Sequence, residues 1–530
     1  MSPSSVFEDR IELSWKTDVT GIGRMSDRRI RAMILPMAQT ASRSFENDKV
    51  DLAEALHALA FVGDLSMGQP ADHSTRVAML ACKLAGCLGL DEGSRRDVMQ
   101  VALLRWSGCT ANAADVAETV SDDVQGRAAM LALQLERVRL LIAPELLPDR
   151  VAAISAIHCE VSSIVAQLLE LPSIVAASLQ CVFEHWDGSG RPHALGGDDI
   201  PMPAQIVAVA SELEVFSRVF GLDRSLGMLR DRAGSVHAHA LVSVATTHAP
   251  DWMLAIARGE TVADQGATSS PRQTAPLALL ADVVDLKLPW LTGYSREVAR
   301  LADLTAARLG LAEPLTARVR RAGLLHGLGR VAIPNAIWDK PGQFSAADWE
   351  FARLNPYWTS RAAKQIQHLG MEVQIASHAF ERLDGTGYFR AARQATTPLD
   401  HRILPVIVAL VAMQARRPWR PALSRIEAFV HLRDQVRIGR FDAATVEAAE
   451  AASFDRSERA AGAPAASDTP SRRELDVLRR IGLGDSNKEA AAHLGISPST
   501  VRTHMESVFR KLACNSRSAA TLKASMLGLL

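Results

Sequence analysis

The sequence lacks the features that mark secreted or membrane-spanning proteins. Its six cysteines include no Cys-x-x-Cys pair, and they lie among apolar residues or beside glycine, which is typical of small core residues in a reducing compartment. No run of about 18 uncharged apolar residues occurs. The N-terminal stretch contains acidic side chains and no long apolar segment, unlike a secretory signal. These absences predict a cytoplasmic protein without a membrane partner.

The chain also has no net charge, since it contains 59 lysine and arginine residues and 59 aspartate and glutamate residues. The charges are unevenly distributed. Residues 471–530 contain ten basic and five acidic side chains, so this tail carries +5 and residues 1–470 carry −5. A basic tail on an acidic body indicates that the tail contacts a polyanion. A basic face exposed only to solvent would have the same charge, so composition leaves both interpretations open.

Strand-like patterns of alternating β-branched residues are scarce, whereas Ala, Leu and Arg at helical spacing dominate. We therefore predict an all-α protein of three or more domains, with tandem helical domains followed by a four-helix C-terminal domain. Two small, polar, proline-containing stretches predict linkers. The expected division is a flexible arm at 1–25, a first helical domain at 26–259, a linker at 260–276, a second helical domain at 277–442, an Ala-rich, partly helical linker at 443–470 and the tail at 471–530.

The two large domains share three blocks in the same order. Asp72-His-Ser-Thr-Arg-Val-Ala matches Gly293-Tyr-Ser-Arg-Glu-Val-Ala, and Ala102-Leu-Leu-Arg-Trp-Ser-Gly matches Gly323-Leu-Leu-His-Gly-Leu-Gly, both at an offset of 221 (294 − 73 and 326 − 105). Phe183-Glu-His-Trp-Asp-Gly matches Phe380-Glu-Arg-Leu-Asp-Gly at an offset of 197 (380 − 183). Ordered blocks at nearly constant offset predict an internal repeat, although Ala- and Leu-rich helices can also match by chance.

The tail carries start and stop signals for three consecutive helices. A serine that can cap the helix precedes each one, and a glutamate three residues later completes a capping box in the first two: Ser471 with Glu474, Ser486 with Glu489, and Ser497. Gly482-Leu-Gly ends the first helix, and Gly495 supplies the turn before the third. The third helix begins with Pro498, where a missing N–H costs nothing, and extends to about Leu512.

This spacing predicts a helix-turn-helix, which reads DNA by placing the start of its second helix in the major groove. Arg502 can donate two hydrogen bonds to guanine, while threonine hydroxyls and an imidazole offer further contacts to bases or phosphate. Basic side chains and helix N-termini would contact phosphates. The predicted DNA-binding residues are Lys488, Ser497, Ser499, Thr500, Arg502, Thr503, His504, Lys511 and Arg517.

Four motifs cover nearly all of residues 469–530: Ser471-Arg-Arg-Glu-Leu-Asp-Val-Leu, Ser486-Asn-Lys-Glu-Ala-Ala, Leu494-Gly-Ile-Ser-Pro-Ser-Thr-Val-Arg-Thr-His and Phe509-Arg-Lys-Leu-Ala-Cys-Asn-Ser-Arg. Together they resemble the LuxR/NarL-type DNA-binding domain. The resemblance implies a four-helix domain that binds double-stranded DNA as a homodimer, with a fourth helix at about 516–528 supporting dimerisation. We therefore expect a transcription regulator, and a helical bundle that binds no DNA is the alternative.

Motifs of the second repeat include Gly323-Leu-Leu-His-Gly-Leu-Gly-Arg-Val-Ala-Ile-Pro, Glu381-Arg-Leu-Asp-Gly-Thr-Gly-Tyr, Pro398-Leu-Asp-His-Arg-Ile-Leu and Arg417-Pro-Trp-Arg. Fainter counterparts in the first are Asp72-His-Ser-Thr-Arg, His158-Cys-Glu-Val and Glu184-His-Trp-Asp-Gly-Ser-Gly. They resemble HD-GYP domains, all-helical phosphohydrolases that cleave cyclic di-GMP. The resemblance implies two or three metal ions, held by His and Asp ligands, that activate a water and clamp the phosphate.

Both repeats depart from that family at the metal-ligand positions. The retained ligand types are His73 and His158 in the first repeat and His326 in the second. The other positions hold Arg105-Trp106, Val182-Phe183 and residues 209–212 in the first repeat, and Tyr294, Gly327, Asn355, Ala379-Phe380 and Val408 in the second. Neither set can hold a dimetal centre, so we predict no catalytic residues, no bound metal and no cofactor. The body is then a sensory or dimerising pseudo-enzyme. The alternatives are a cyclic di-GMP phosphodiesterase with unusual ligands, a residual single-metal site at His73 and His158, and a non-catalytic nucleotide-binding sensor coupled to DNA binding.

Two glycine-rich turns are retained in both repeats. Their residues are Asp187, Gly188 and Gly190 in the first repeat and Asp384, Gly385 and Gly387 in the second. They are most simply structural turns, in which glycine supplies a positive φ. The same turns could contact a small-molecule or nucleotide effector or a partner.

Overall fold

The computed structural model describes residue 45 and residues 48–120, 122–134, 136–138, 148–260, 273–454 and 469–530. Helices dominate these residues, and the strands described are β1 (Lys49–Asp51) and β2 (Thr274–Pro276), which pair antiparallel with Val50 opposite Ala275. The predicted all-α class is confirmed. The predicted N-terminal arm, and residues 261–272 and 455–468 of the two predicted linkers, lie outside the described residues.

The first group of helices packs around α2, which lies against both α3 and α8. Its members are α1 (Leu52–Ser66), α2 (His73–Cys87), α3 (Glu92–Leu104), α4 (Ala113–Thr119), α5 (Asp123–Leu131), α6 (Pro148–Leu168), α7 (Ser173–Leu179), α8 (Met202–Phe220), α9 (Leu222–Asp231) and α10 (His239–Ala257). Among the described residues only the window Arg150–Leu168 of α6 has the length and hydropathy of a possible membrane span, and 44% of that window is buried against the rest of the chain.

The second group packs in the same way around α12, which contacts α13, α18 and α20. Its members are α11 (Leu277–Asp285), α12 (Tyr294–Arg308), α13 (Glu313–Leu325), α14 (Asn335–Trp338), α15 (Ala346–Ala352), α16 (Asn355–Ala363), α17 (Gly370–Ser377), α18 (Leu399–Gln414), α19 (Arg425–Arg437) and α20 (Ala443–Phe454). Helix α20 lies in the predicted Ala-rich linker, yet Val446, Ala449 and Ala452 are buried because small side chains allow close approach to α12.

The tail folds as α21 (Arg472–Gly482), α22 (Asn487–Leu494), α23 (Pro498–Leu512) and α24 (Arg517–Met526). The predicted capping boxes at Ser471 and Ser486 are present, and Ser497 accepts a hydrogen bond from the amide of Thr500. Gly495 adopts φ 64°, the left-handed conformation that ends α22. The helix starts therefore follow from local capping chemistry.

The two helical groups repeat the same hydrogen bonds at the offsets found in the sequence. The carboxylate of Asp64 accepts from the Ser74 amide at 2.9 Å, and that of Asp285 accepts from the Ser295 amide at 2.8 Å. The Gly108 amide donates to the Ser162 hydroxyl at 3.0 Å, and the Gly329 amide donates to the Thr359 hydroxyl at 2.9 Å. Glu184 and Glu381 each accept two backbone amides from the turn that follows them. Chance similarity of helices would not reproduce these side-chain contacts.

A buried ion pair joins the two groups. Lys287 Nζ donates to Asp123 Oδ2 at 2.7 Å, and both side chains are fully buried. The second oxygen of Asp123 accepts the amide of Asn335 at 2.7 Å. Removing one partner of such a pair would leave a buried charge without its nearest counterion, so this contact between the groups needs both side chains.

Candidate nucleic-acid interface and histidine pockets

The core of the tail is made by one face of α21 packed against α23. Val477, Leu478 and Ile481 are buried in α21, and Val501 and Val508 are buried in α23. Leu475 on the same helix is only half-buried. This packing holds α23 with one face inward and the other toward solvent.

The start of α23 presents the predicted base-reading residues to solvent. Ser499, Thr500, Arg502 and Thr503 are exposed, and His504 is half-buried. The guanidinium of Arg502 meets Glu506 one turn later at 3.0 Å, in a pair exposed on both sides. Such a pair is weak, so Arg502 can exchange it for a base edge.

The side chains predicted to contact phosphate differ in their exposure and in the partners that they already have. Lys488 is exposed at the start of α22. Lys511 Nζ contacts Glu474 Oε2 at 2.8 Å. Burial favours a raised pKa for Glu474, but hydrogen bonds from Lys511, Ser507 and Ser471 outweigh it and lower the pKa to about 2. Arg517 donates to Asn487 at 3.1 Å. Lys488 is therefore immediately available to a phosphate, whereas Lys511 and Arg517 already have partners inside the tail.

The tail docks on both helical groups through α24 and the end of α21. Helix α24 packs against α6 of the first group and α11 of the second. The Ser518 hydroxyl donates to the Ala111 carbonyl at 3.0 Å, and the Asn515 amide donates to Glu160. The Thr292 hydroxyl donates to the Gly482 carbonyl at 2.7 Å. The resemblance assigned dimerisation to this fourth helix, but here one of its faces contacts the body of its own chain.

An ion-pair network completes the docking contact. Arg416, at the end of α18, meets Asp485 at 2.7 Å, and the tail's own Arg480 donates to the second oxygen of Asp485 at 2.7 Å. Buried residues of the tail, including Asp485 and Leu522, lie in this contact together with the polar groups.

In the first repeat, a guanidinium faces the imidazole that could hold a metal. His73 Nδ1 bonds to Glu214 at 2.6 Å, and Arg105 Nη2 lies 2.7 Å from His73 Nε2. Burial lowers the pKa of His73 to about 4, against the opposing effect of Glu214. The imidazole is thus neutral near pH 7, with its proton on Nδ1 and its Nε2 lone pair accepting from Arg105.

The second histidine of this repeat is also satisfied by protein groups. His158 Nε2 bonds to the Arg105 carbonyl at 2.7 Å, and its Nδ1 lies 3.6 Å from Cys109 Sγ. Trp106 and Phe183 pack on the ring with centroids 5.8 and 5.0 Å away. Burial lowers the pKa of His158 to about 3. Neither nitrogen of this buried ring is left open.

The second repeat has the same arrangement from different residues. His326 Nδ1 bonds to the Gly323 carbonyl at 2.6 Å, and Arg330 Nη2 lies 3.5 Å from His326 Nε2 and pairs with Asp285 at 3.3 Å. Burial lowers the pKa of His326 to about 3. Tyr294 donates its hydroxyl to the Val408 carbonyl at 3.0 Å, so these two replacements contact each other.

These sites do not fit the metals that the resemblance implies. Within the described ranges no three His, Cys, Asp or Glu side chains are grouped to hold a metal ion. Sequence reasoning missed Glu214 as the partner of His73, because 141 residues separate them. It also missed the contact between Arg330 and His326, although the four-residue spacing on the chain was a signal that could have suggested it.

The two glycine-rich turns are closed by their own hydrogen bonds. Asp187 accepts the Ser189 amide at 2.8 Å, and Asp384 accepts the Thr386 amide at 2.9 Å. Gly188 and Gly385 have φ of 78° and 81°. A Cβ on Gly190 would lie 2.2 Å from the His185 amide nitrogen, and one on Gly387 would lie 2.3 Å from that of Arg382. These glycines therefore have a sufficient structural role, and their contact with an effector stays a prediction.

Comparison with known families identifies two parts of the chain. A family model for the HD domain matches residues 278–445, and one for bacterial regulatory proteins of the luxR family matches residues 469–524. The chain therefore carries an HD domain and a C-terminal DNA-binding domain of luxR type.

The relatives resemble either the body of the chain or its C-terminal tail. The chain is 27% identical over 405 residues to 3'3'-cGAMP-specific phosphodiesterase 3 of Vibrio cholerae, covering 70% of this chain and 88% of that protein. It is 29% identical over 140 residues to a cyclic di-GMP phosphodiesterase of Thermotoga maritima, covering 26% of this chain and 38% of that one. The tail is 49% identical over 55 residues to a nitrate/nitrite response regulator protein homolog of Haemophilus influenzae, covering 10% of this chain and 26% of the relative.

A crystal structure of a cyclic GMP-AMP-specific phosphodiesterase of Vibrio cholerae has the same helical fold. Its TM-score is 0.55 at 22% identity, and the match covers 77% of this chain and 98% of that one. At this identity the likeness concerns the fold alone.

Proposed function

We propose that this protein is a cytoplasmic, homodimeric transcription regulator whose tail reads double-stranded DNA with α23. The proposal is carried by the exposed start of α23, where Ser499, Thr500 and Arg502 face solvent within the luxR-type match. The tail is basic, and Lys488 adds a free cation at the start of α22. A helix whose first turn carries hydroxyls and an arginine suits direct readout in the major groove.

The test is binding of the full chain to DNA fragments selected from its own genome. Arg502→Ala should weaken binding to the selected sequence by about 5- to 150-fold, the range expected for one lost bidentate base contact. Arg437→Ala is the control, because Arg437 is equally exposed but lies on α19 of the body. Equal footprints from wild type and the Arg502 variant would overturn the proposed reading helix.

We further propose that both helical groups are HD-GYP-like and that neither is catalytic. The repeated hydrogen bonds support the kinship of the first group to the second, which the HD model covers. Loss of catalysis is supported by the guanidinium groups of Arg105 and Arg330, which approach His73 and His326 at the nitrogen a metal would need. A buried cation at that position disfavours a divalent ion electrostatically.

Turnover assays separate this proposal from the second candidate, a phosphodiesterase like the relatives named above. The full chain, loaded with Mn²⁺ or Fe²⁺, should hydrolyse neither 3'3'-cGAMP nor cyclic di-GMP above the rate of a metal-only control. Elemental analysis should find less than one equivalent of tightly held metal per chain. Metal-dependent turnover that disappears in His326→Ala would establish the phosphodiesterase instead.

A further inference from the structure

A polar groove crosses the second helical group on a side formed by α12, α18, α19 and α20. It encloses about 240 Å³. Its lining is mainly polar and includes Glu297, Arg300, Gln414, Arg425 and Ser453, with Leu423 half-buried beside them and Leu301 buried. None of these residues stands at a metal-ligand position of the HD-GYP resemblance, so the groove is separate from the histidine pocket.

Arg425 is the cation of this groove that lacks a counterion. Its guanidinium lies 5.0 Å from the ring centroid of Phe454, and within the described part of the chain no carboxylate pairs with it. The neighbouring Arg300 differs, because Glu297 binds it through two hydrogen bonds of 2.8 Å. The described lining of the groove therefore contains two guanidinium groups and one carboxylate, and that carboxylate is already engaged by Arg300.

One neutral donor beside this charge is available to an anion. It is not Ser453, whose hydroxyl already donates to the Ala449 carbonyl at 2.8 Å. The side-chain amide of Gln414, the last residue of α18, has no hydrogen-bond partner in the described ranges. The guanidinium of Arg425 and the amide of Gln414 thus place hydrogen-bond donors in one polar groove.

We propose that this groove binds a small organic anion, with a phosphate or carboxylate head at Arg425 and Gln414 and the rest of the ligand along the groove beside Leu423. Both heads are acceptors that match the donors of a guanidinium. The exposed ring of Phe454 lies beside this guanidinium. The ligand would tie α20 to α12 and α19, and α20 is the last described helix before the tail.

Calorimetric titration of the full chain with four probes tests the site: inorganic phosphate, AMP, benzoate and octanoate. We expect saturable binding of at least one organic anion. If AMP binds saturably and more tightly than inorganic phosphate, the head is a phosphate. If benzoate or octanoate binds saturably, the head is a carboxylate. Arg425→Gln should weaken that binding at least tenfold. Gln414→Glu, which keeps the shape and adds a negative charge, should abolish it.

Arg437→Gln is the matched control, because Arg437 lies on the same helix, is paired with Asp434 and is outside the groove. It should change affinity less than twofold. Thermal unfolding of all three variants checks that each is folded. The proposal is overturned if none of the four probes binds saturably, or if binding is the same in Arg425→Gln as in the wild type. Because no DNA is present, failure here would leave the DNA-binding proposal untouched.

Discussion

Single residues decide whether the histidine pockets are open or closed. Arg105 is buried, lies over the Trp106 ring at 4.3 Å and donates to His73. Asp64 is also buried nearby, and desolvation raises its pKa to about 7 against hydrogen bonds from Ser74 and the charge of Arg105. The guanidinium thus acts as an internal cation for a polar cluster that would otherwise be poorly satisfied.

We expect Arg105→Ala to lower the free energy of unfolding by about 3 kcal/mol, because it leaves a cavity and an unsatisfied imidazole nitrogen. Urea unfolding measures the change. Arg96→Ala on the outer face of α3 removes only an i,i+4 pair with Glu92 and should cost less than about 0.5 kcal/mol. Equal effects of the two substitutions would contradict a structural role for Arg105.

The buried His158 should make the free energy of unfolding depend on pH. Its pKa is about 3 in the folded chain, below the usual value of 6.5 for histidine, because burial penalises the charged ring. Below pH 6.5 the unfolded chain therefore binds a proton that the folded chain does not, so this histidine removes stability as pH falls toward 3. The stability difference between wild type and His158→Gln should shift against the wild type by about 1.4 kcal/mol per pH unit in that window.

Urea unfolding of both proteins between pH 7 and pH 5 measures the slope. Asp64 and Asp285 have the opposite effect, because their pKa values are raised to about 7 and the fold therefore loses stability as pH rises. Subtracting the stability of the variant from that of the wild type at each pH removes this contribution, since both proteins share it. A difference independent of pH would show that His158 is charged or solvated in the folded state.

At the scale of elements, two glycines allow helices to touch a neighbouring turn. A Cβ on Gly108 would lie 2.1 Å from the His158 carbonyl oxygen, and one on Gly329 would lie 2.0 Å from that of Asn355. Gly108→Ala and Gly329→Ala should each lower the free energy of unfolding by about 2–4 kcal/mol, because the backbone must move to make room for the Cβ. Gly227→Ala in α9 meets nothing within 4 Å and should stabilise it by about 0.5–1 kcal/mol. Thermal unfolding distinguishes the two signs.

The elements differ in how well the sequence predicts them. The starts of α21, α22 and α23 follow from Ser471, Ser486 and Ser497, because capping is decided within four residues of chain. The packing of α20 could not be predicted in this way. Its alanines give no amphipathic pattern, and only contact with α12 shows that Val446 and Ala449 are core residues.

In the candidate sites, too, the sequence predicts local features and does not predict long-range contacts. Exposure of Arg502 and Thr503 follows from helical periodicity within one element. The partners of His73 and Lys511 do not, because Glu214 and Glu474 are brought to them by tertiary packing across 141 and 37 residues. Sequence patterns carry local information, and a side chain's long-range partner is fixed only when separate helices meet.

At the scale of the whole molecule, the docked tail leaves its reading helix open while α24 contacts both helical groups. A movement of one group relative to the other would therefore disturb the packing of α24 against α6 and α11. The buried pair of Lys287 and Asp123 also joins the two groups. Docking makes the direction of α23 depend on the body, which is what a regulator needs if its body is to control the alignment of two tails on DNA half-sites.

This arrangement predicts that weakening the docking contacts changes both the motion of α24 and DNA binding. Thr292→Val removes the hydrogen bond to the Gly482 carbonyl, worth about 1 kcal/mol, and Arg416→Ala removes a half-exposed pair with Asp485, worth about 0.5 kcal/mol. The double variant should raise amide hydrogen exchange in α24 about tenfold. Its DNA affinity should rise, because α24 is freed to contact a second copy. Arg437→Ala should alter neither quantity. Unchanged exchange in the double variant would show that the tail and body are held by other contacts, and faster exchange with unchanged affinity would show that docking does not limit DNA binding.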